Sequence, residues 1–192
     1  MAAAEATILD LDLSDERAGL VLEDIERLER VIFPEHASPA RCLRDELKRR
    51  NSGLIYLPSS AAGEEVVGYA VYTCNTSLCA TIIELAGEQH IHVHSSQSPG
   101  VNDSAEWIRA RNCNFVVAVR ESCRRQGHGD ALLRAAVERC RGRRVQRVIL
   151  HVDPARAAAV ALYRKAGFQV DATIEGFYAP QRDAYRKFMD LQ

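Results

Sequence analysis

The sequence predicts an α/β domain built on one mixed sheet, because strand and helix patterns alternate along its 192 residues. Strand patterns come first, a strand-helix-strand-helix unit follows, and two strand patterns close the chain. This order is typical of a mixed α+β sheet with helices packed against it. The length suits one domain with a substantial core. We therefore expect a single domain over residues 1–192, with an insertion described below.

Charge and cysteine content exclude several classes of function. The formal net charge is −1, which predicts neither a nucleic-acid partner nor a membrane surface. No apolar run is long enough for a membrane span, and the start "MAAAEA" lacks the apolar segment of a signal peptide. The six cysteines are scattered and form no CxxC pair. That pattern favours reduced thiols in a cytoplasmic or nuclear protein.

The first half of the chain predicts an edge strand, two helices and three further strands. "TILDLDL" alternates apolar and acidic residues, as an edge strand does. "SDERAGLVLEDIERLERVIF" predicts a helix with Ser14 as N-cap and an apolar stripe at Leu20, Ile25, Leu28 and Ile32. "SPARCLRDELKRRN" predicts a second helix. The runs "GLIYLP", "EEVVGYAVYTC" and "LCATIIEL" predict strands.

The second half predicts two helices, one strand and a hairpin. "DALLRAAVERCRG" predicts a helix with Gly142 near its C-cap, and "VQRVILHV" predicts a strand. "ARAAAVALYRKAGF" predicts a helix that ends at Gly167. "FQVDATIEGFY" and "AYRKFMDL" predict the closing hairpin.

The stretch "CRRQGHGD", residues 123–130, lies between the apolar run "FVVAV" and a predicted helix. A strand that leads through glycines into a helix exposes backbone N–H groups, and the helix dipole adds positive charge there. Gly127 and Gly129 allow close approach, and Arg124 and Arg125 add charge. This predicts a phosphate cradle, although a plain turn with two solvated arginines fits as well. Neither a P-loop nor a dinucleotide fingerprint matches, because Lys-Ser/Thr and the third glycine are missing.

Two signatures carry a family resemblance. "RRQGHG" fits Arg/Gln-x-x-Gly-x-Gly/Ala, and "ALYRKAGF" fits the second signature of the same family. The chain thus resembles the GNAT superfamily of acetyl-CoA-dependent N-acetyltransferases. The resemblance implies the GNAT acyl-CoA N-acyltransferase fold, with a mostly antiparallel sheet splayed at the acetyl-CoA site and the coenzyme pyrophosphate in the cradle. The cofactor-binding residues that it implies are Val119, Arg124, Arg125, Gln126, Gly127, His128, Gly129, Asp130, Arg156 and Tyr163.

A narrower resemblance concerns the acceptor. "RVIFPEHAS", "ILHVDPA" and "IEGFYAPQRDAYRKFMDL" are similar to the eukaryotic N-terminal acetyltransferase branch. This implies transfer to the N-terminal α-amine of a protein or peptide, with Phe33 and Pro34 lining the pocket for the first residue. Phe177 and Tyr178 would fold over the acceptor backbone. Lysine side chains or small amines are alternative acceptors, and a non-catalytic acyl-CoA-binding module is the competing class.

Acetyl transfer to an amine needs a base for the amine proton and an acid for the leaving thiolate. The resemblance places Tyr163 next to the coenzyme sulfur as the acid. Glu84 or His151 can serve as the base, directly or through water; a His has an ordinary pKa near the right value, whereas Glu would need burial. Each residue also fits a structural role. The chain departs from the branch at Thr81, where a catalytic Tyr is usual, and at Arg156, where an Asn contacts the cofactor.

Residues 87–118 interrupt the family pattern. The segment is polar and without period, and so long a loop is uncommon in a compact domain. Without it the chain reads "SLCATIIELAVRESCRRQGHG", which matches the expected strand-loop junction. We expect either a genuine insertion or a translated retained intron, since splice-like codons are permitted at both ends. "TIIELA" and "NFVVAV" then compete for one strand position, and in the second Val116 takes the place of Glu84.

The run "HIHVH" places His90, His92 and His94 at alternating positions. On a strand their side chains would face one side, as metal ligands can. Three histidines without a fourth ligand are a weak signal, and we predict no metal site.

Overall fold

The computed structural model describes residues 7–32, 40–59, 65–74, 79–82 and 117–191. These residues form one eight-stranded sheet and four α-helices. None of the helices in these ranges is long and apolar enough to cross a membrane. The strands are β1 (Leu9–Asp10), β2 (Ser52–Pro58), β3 (Val66–Thr73), β4 (Cys79–Ile82), β5 (Val117–Val119), β6 (Arg147–Val152), β7 (Gln169–Ala179) and β8 (Arg182–Asp190). The helices are α1 (Ala18–Ile32), α2 (Ala40–Leu47), α3 (His128–Gly142) and α4 (Ala157–Lys165).

The strand order across the sheet is β1-β2-β3-β4-β6-β8-β7, and β5 pairs with β3. Every pairing is antiparallel except that of β4 with β6. The predicted mixed, mostly antiparallel sheet is therefore confirmed.

Helices cover both faces of the sheet. Helix α1 turns Val21, Leu22, Ile25 and Leu28 into one core cluster with residues of α2, β2 and β3, at the spacing of an amphipathic helix. Helices α3 and α4 form a second cluster on the opposite face with residues of β6. Strand β3 is buried along its whole length because it lies between these layers.

The start of α1 differs from the sequence prediction. Ser14 is not the N-cap: the helix begins at Ala18, and the Ser14 hydroxyl donates to Asp12 at 2.7 Å. Leu20 was predicted to be in the core but is 65% exposed, whereas Ile25 is fully buried as predicted. Val21 and Leu22, four and three residues before Ile25, occupy the buried stripe instead, because residues three and four apart share one helix face.

The second half of the chain confirms the predicted elements. Helix α3 ends at Gly142, and α4 ends at Lys165. Gly167 lies just after α4 with a φ of 100°, the left-handed region that suits glycine at a helix end. Strands β7 and β8 form the predicted hairpin.

One edge of β3 is shared by two strands. Strand β4 pairs with its last residues, Tyr72 and Thr73, and β5 pairs with Gly68 to Ala70. A Cβ at Gly68 would lie 2.6 Å from the Ala118 carbonyl oxygen, so glycine permits this close approach. The two runs "TIIELA" and "NFVVAV" were expected to compete for one strand position. That expectation is wrong, since each supplies part of the same edge.

The boundary of the predicted insertion also changes. Val117 and Ala118 belong to β5 rather than to a loop, because they complete the ladder beside β3. Residues 87–116 lie outside the described residues.

Among the described residues β5 and β6 do not pair, which leaves a gap between these two strands. Strand β6 pairs with β4 as far as Ile149, and its remaining residues Leu150 to Val152 pair only with β8 among the described strands. Strand β5 runs in the same direction as β6, because both β4 and β5 are antiparallel to β3 and β4 is parallel to β6. Helices α3 and α4, which follow β5 and β6, therefore begin at the same end of the sheet, beside the gap.

Candidate active site

The chain between β5 and α3 forms a backbone cradle. The Arg120 N–H extends the ladder to the Val67 carbonyl at 2.7 Å, and a short 3₁₀ turn, Glu121–Cys123, follows. Arg125 (φ 61°) and Gly127 (φ 86°) then take left-handed conformations. Gly127 is the N-cap of α3, and no side chain of the described residues caps the helix there. The first N–H groups of α3 are therefore placed to bind an anion.

The space in front of this helix end is open. A Cβ added at Gly127 would meet nothing within 4 Å, so the described residues leave this turn accessible to an approaching anion. Open space, backbone donors and the positive end of the helix dipole are what a coenzyme pyrophosphate requires. The residues present therefore fit the predicted cofactor.

Several polar side chains of the cradle bind the protein itself. Arg124 Nε donates to the Val119 carbonyl at 3.3 Å, and Gln126 Nε2 donates to the Ser122 carbonyl at 3.3 Å. Asp130 accepts from Arg134 at 2.9 Å. The backbone N–H groups at the start of α3 are thus the candidate anion donors that these contacts leave available. Cofactor contacts by the side chains of Arg124, Arg125, Gln126, His128 and Asp130 stay predictions.

The other side of the gap carries two residues predicted from the sequence. His151, near the end of β6, stacks on Phe177 of β7, with ring centroids 4.5 Å apart and an interplanar angle of 17°. Arg186 of β8 pairs with His151 in the ladder, and its guanidinium contacts the Asp171 carboxylate at 3.0 Å. Tyr178 lies in β7. The structure therefore brings the predicted base and one predicted acceptor aromatic into direct contact.

The ionisation of His151 differs from the expectation of an ordinary histidine pKa. The pKa of His151 is lowered to about 4, chiefly by burial and further by the positive charge of Arg186, and Asp171 opposes the shift in part. At neutral pH the imidazole is neutral. It can hold a water or an amine by hydrogen bonding, but it is a weaker base than a histidine with an ordinary pKa would be.

Tyr163 and Arg156 belong to α4. The Tyr163 ring is fully buried and contacts Phe168 edge-on, with centroids 5.8 Å apart. Arg156 is the N-cap residue of α4, and its N–H donates to the Asp153 carbonyl at 3.0 Å. Helix α4 begins beside the gap, which is the place that the predicted cofactor roles require. The proton-donor role of Tyr163 stays a prediction.

Other predicted site residues lie outside the described residues, namely Phe33, Pro34, Glu84 and the histidines at 90, 92 and 94. The backbone of Thr81 lies in β4, opposite Thr73 and Ile149. Within the described ranges, no three His, Cys, Asp or Glu residues are grouped as metal ligands.

A buried carboxylate next to the site was not predicted. Asp153 follows β6 and is 4% exposed. It accepts a hydrogen bond from Arg182 Nε at 2.7 Å and one from the Ala155 N–H at 2.8 Å. Burial raises the pKa of Asp153, but the Ala155 N–H, Arg182 and Arg156 together hold it below its usual value. The Asp-Pro pair signalled a turn, whereas the distant arginine left no signal in the sequence.

Comparisons with known proteins agree with the cofactor that this geometry fits. The sequence model of the acetyltransferase (GNAT) family matches residues 21–168. The ribosomal protein bS18-alanine N-acetyltransferase of Escherichia coli strain K12 is 41% identical over 69 residues, which are 36% of this chain and 46% of that relative. The chain therefore aligns with about half the length of the curated relatives that it matches.

Two solved structures have a similar fold. Ard1 from Thermoplasma volcanium has a TM-score of 0.65 at 19% identity, with 97% of each chain covered. A chain of the NatC complex bound to Gag peptide and CoA has a TM-score of 0.66 at 17% identity, with 97% of this chain and 98% of that chain covered.

Proposed function

Because the chain belongs to the acetyltransferase (GNAT) family, we propose that it transfers the acetyl group of acetyl-CoA to the N-terminal α-amine of a protein or peptide. One observation carries the proposal: the open cradle after β5 and the His151–Phe177 stack on β6 and β7 flank a gap between strands. This arrangement supports an anion site and an acceptor surface on opposite sides of that gap, which we call the cleft, at the ends of two parallel strands, where α/β sheets bind ligands.

The cosubstrate side depends on the backbone. Acetyl-CoA supplies an activated thioester when it is bound. The N–H groups at the start of α3 would hold its pyrophosphate, and Gly127 leaves the space for it. Backbone N–H groups at the split edge can stabilise negative charge on the acetyl oxygen.

The acceptor side favours an amine that is already partly neutral. With a pKa of about 4, His151 takes a proton poorly at neutral pH. An α-amine, with a pKa near ~8, is roughly one-tenth neutral at pH 7, whereas lysine, near ~10.4, is neutral in only about one molecule in a few thousand. His151 can orient the neutral amine or a water, while the proton leaves to solvent. A weak base therefore suits an N-terminal amine better than a lysine.

The leaving thiolate needs a proton, and we assign its donor as the Tyr163 phenol on α4. A polypeptide acceptor is supported by the relatives, since one is named for alanine N-acetylation of a ribosomal protein and one solved complex is bound to a peptide and CoA. The thiols of Cys74, Cys123 and Cys140 are free, which suits the cytoplasm or nucleus, where we place the protein.

The test uses matched peptides. Each peptide is made with a free N-terminus and acetylated lysines, and again with a blocked N-terminus and one free lysine; the first residue is varied, and spermidine represents small amines. We expect acetyl transfer to the free N-termini. Transfer only to lysine or spermidine would reject the α-amine acceptor but keep the enzyme class. Tight coenzyme A binding with no transfer to any amine would indicate a binding module instead.

A further inference from the structure

The tip of the β7–β8 hairpin is held by side chains more than by the strand ladder. Ile174 pairs with Ala184 and Ala179 with Arg182, so β7 has more residues than β8 between these pairs. Gly176, in this irregular part, has a φ of 62° and donates its N–H to the Asp183 carboxylate at 2.9 Å. Phe177 lies next to it. The segment that would contact the acceptor therefore needs anchors from outside the ladder.

We propose that Asp153 and Arg182 are positioning residues that fix the acceptor hairpin against the entry of α4. The inference rests on the proposed function, because it assigns the hairpin tip to the acceptor. Arg182 is the first residue of β8, directly after the turn. Its Nε lies 2.7 Å from the Asp153 carboxylate, which is 4% exposed.

The same carboxylate also sets the start of α4. Its second oxygen accepts the Ala155 N–H at 2.8 Å, and the Asp153 carbonyl accepts the Arg156 N–H at 3.0 Å. Helix α4 carries Tyr163, and β6 carries His151 two residues before Asp153. One buried group thus links the residues proposed for the thiol side with the hairpin proposed for the acceptor side.

The link has a direct consequence for rate. A buried ion pair that loses one partner leaves an uncompensated charge. Substitution of either Asp153 or Arg182 should therefore release the hairpin tip from the start of α4. Acceptor and thioester must be held within a narrow range of positions, and a displacement of about 1 Å can cost roughly 100-fold in rate. Loss of the pair should therefore weaken use of the acceptor and leave the cradle after β5 intact.

The test compares Arg182→Gln, Asp153→Asn and the double variant with Arg147→Gln. Arg147 and Asp190 form an ion pair at the opposite end of the same two strands, and both are exposed, at 44% and 55%. We expect the first two variants to lower kcat/KM for the acceptor about 10- to 100-fold, chiefly through acceptor KM. The dissociation constant of acetyl-CoA should stay within about twofold in Arg182→Gln and Arg147→Gln, because neither change removes a contact of α3 or the hydrogen bond to the Ala155 N–H. The double variant should be no worse than the worse single one, and Arg147→Gln should match the wild type.

Two further measurements keep the inference separable from folding and from the proposed function. Arg182→Lys, which keeps the charge, should recover part of the loss. Amide hydrogen exchange at residues 175–182 should be faster in Arg182→Gln and unchanged along α3, and this needs no acceptor at all. The kinetic comparison uses whichever amine the wild type acetylates, so a lysine acceptor would reject the proposed function alone. Unchanged exchange at the tip, or equal loss in Arg147→Gln, would overturn the positioning role.

Discussion

The two sides of the cleft are built from different parts of the chain. On the β5 side, the proposed anion site consists of backbone N–H groups, left-handed turns and an open space at Gly127. On the β6 side, the surface consists of side chains, with His151 stacked on Phe177 and Arg186 bound to Asp171. The β5 side is therefore fixed by local sequence, whereas the β6 side depends on contacts between distant strands.

This difference predicts how each side responds to substitution. A change on the β5 side should lower the affinity for acetyl-CoA by the same amount whichever acceptor is used, because a pyrophosphate cradle contacts no amine. A change on the β6 side should act on turnover, acceptor use or pH dependence and spare cofactor binding. A β5-side variant that changes only acceptor use, or a β6-side variant that loses cofactor binding, would contradict this division.

The largest effect is expected for Gly127→Glu. The carboxylate would occupy the open space before α3 and repel the pyrophosphate, and the φ of 86° disfavours any side chain there. We expect acetyl-CoA binding to fall below detection in calorimetry, and acetyl transfer to be lost with every acceptor.

The matched control is Gly142→Glu, which adds the same side chain at the other end of α3, also with nothing within 4 Å of the new Cβ. It should bind acetyl-CoA as the wild type does. If Gly127→Glu unfolds at the wild-type temperature and still binds the cofactor, the cradle assignment is wrong.

Tyr163→Phe is expected to lower turnover by about 10² to 10⁴, the usual contribution of a general acid. The phenyl ring preserves the edge contact with Phe168, and only one hydroxyl is removed, so the fold should persist and the dissociation constant of acetyl-CoA should barely change. Single-turnover kinetics measure the chemical step directly.

Tyr72→Phe is the control for Tyr163→Phe, since it removes a hydroxyl from another buried tyrosine, which lies against Arg143 rather than beside the cleft. Turnover of Tyr163→Phe at the wild-type level, where chemistry limits the rate, would show that the thiolate leaves without this residue.

The β5 side could be predicted from the sequence because its determinants are adjacent in the chain. Arg124, Gly127 and the helix pattern that follows them mark a strand-turn-helix unit without any knowledge of the tertiary structure. The strands and helices were equally visible from their periodicity. The start of α1 was missed because Ser14 and Asp12 form a local turn that competes with capping.

The β6 side was predictable only in part. His151 and Phe177 were identified, but not the ionisation of His151, because burial and the charge of Arg186 come from the assembled sheet. The pair of Asp153 with Arg182 spans two strands and a turn, and nothing in the local sequence links these residues. Pairing between distant polar groups is decided by topology, which one sequence does not reveal.

His151 should make the fold sensitive to acid. Its pKa is lowered from 6.5 to about 4 in the folded chain, so between these values the unfolded chain binds more protons. Stability should therefore fall as the pH drops from about 6.5 to 4, by roughly 3 kcal/mol at full loss. His151→Phe can keep the stack on Phe177 without titrating.

Urea unfolding at pH 7 and pH 4.5 measures this effect as a difference between the wild type and His151→Phe. We expect the variant to lose less stability on acidification. An equal loss in both proteins would mean that His151 titrates normally in the folded chain.

The smallest effect is expected where the two sides meet, at the split edge of β3. Thr81 and Ile82 lie opposite Thr73 and Tyr72, and Val119 lies opposite Gly68. If Val119 followed Ala86 directly, the junction would contain one residue more than its partner strand, which is the definition of a β-bulge. The two registers are thus compatible with one continuous, bulged strand.

We therefore predict that a chain lacking residues 87–118 is the faster enzyme, by about fivefold. Each ladder hydrogen bond recovered at the cleft edge stabilises the ordered edge by ~1 kcal/mol, which is a factor of about five in its population. The full chain should be cut first within this segment in limited proteolysis. The control lacks residues 87–119, which also removes the buried Val119 side chain opposite Gly68, and it should lose the gain because Ala86 fills less of the core there. Both shortened chains are compared with the full chain for acetyl transfer. A full chain that is faster, or a shortened chain that fails to fold, would show that the segment is a functional insertion.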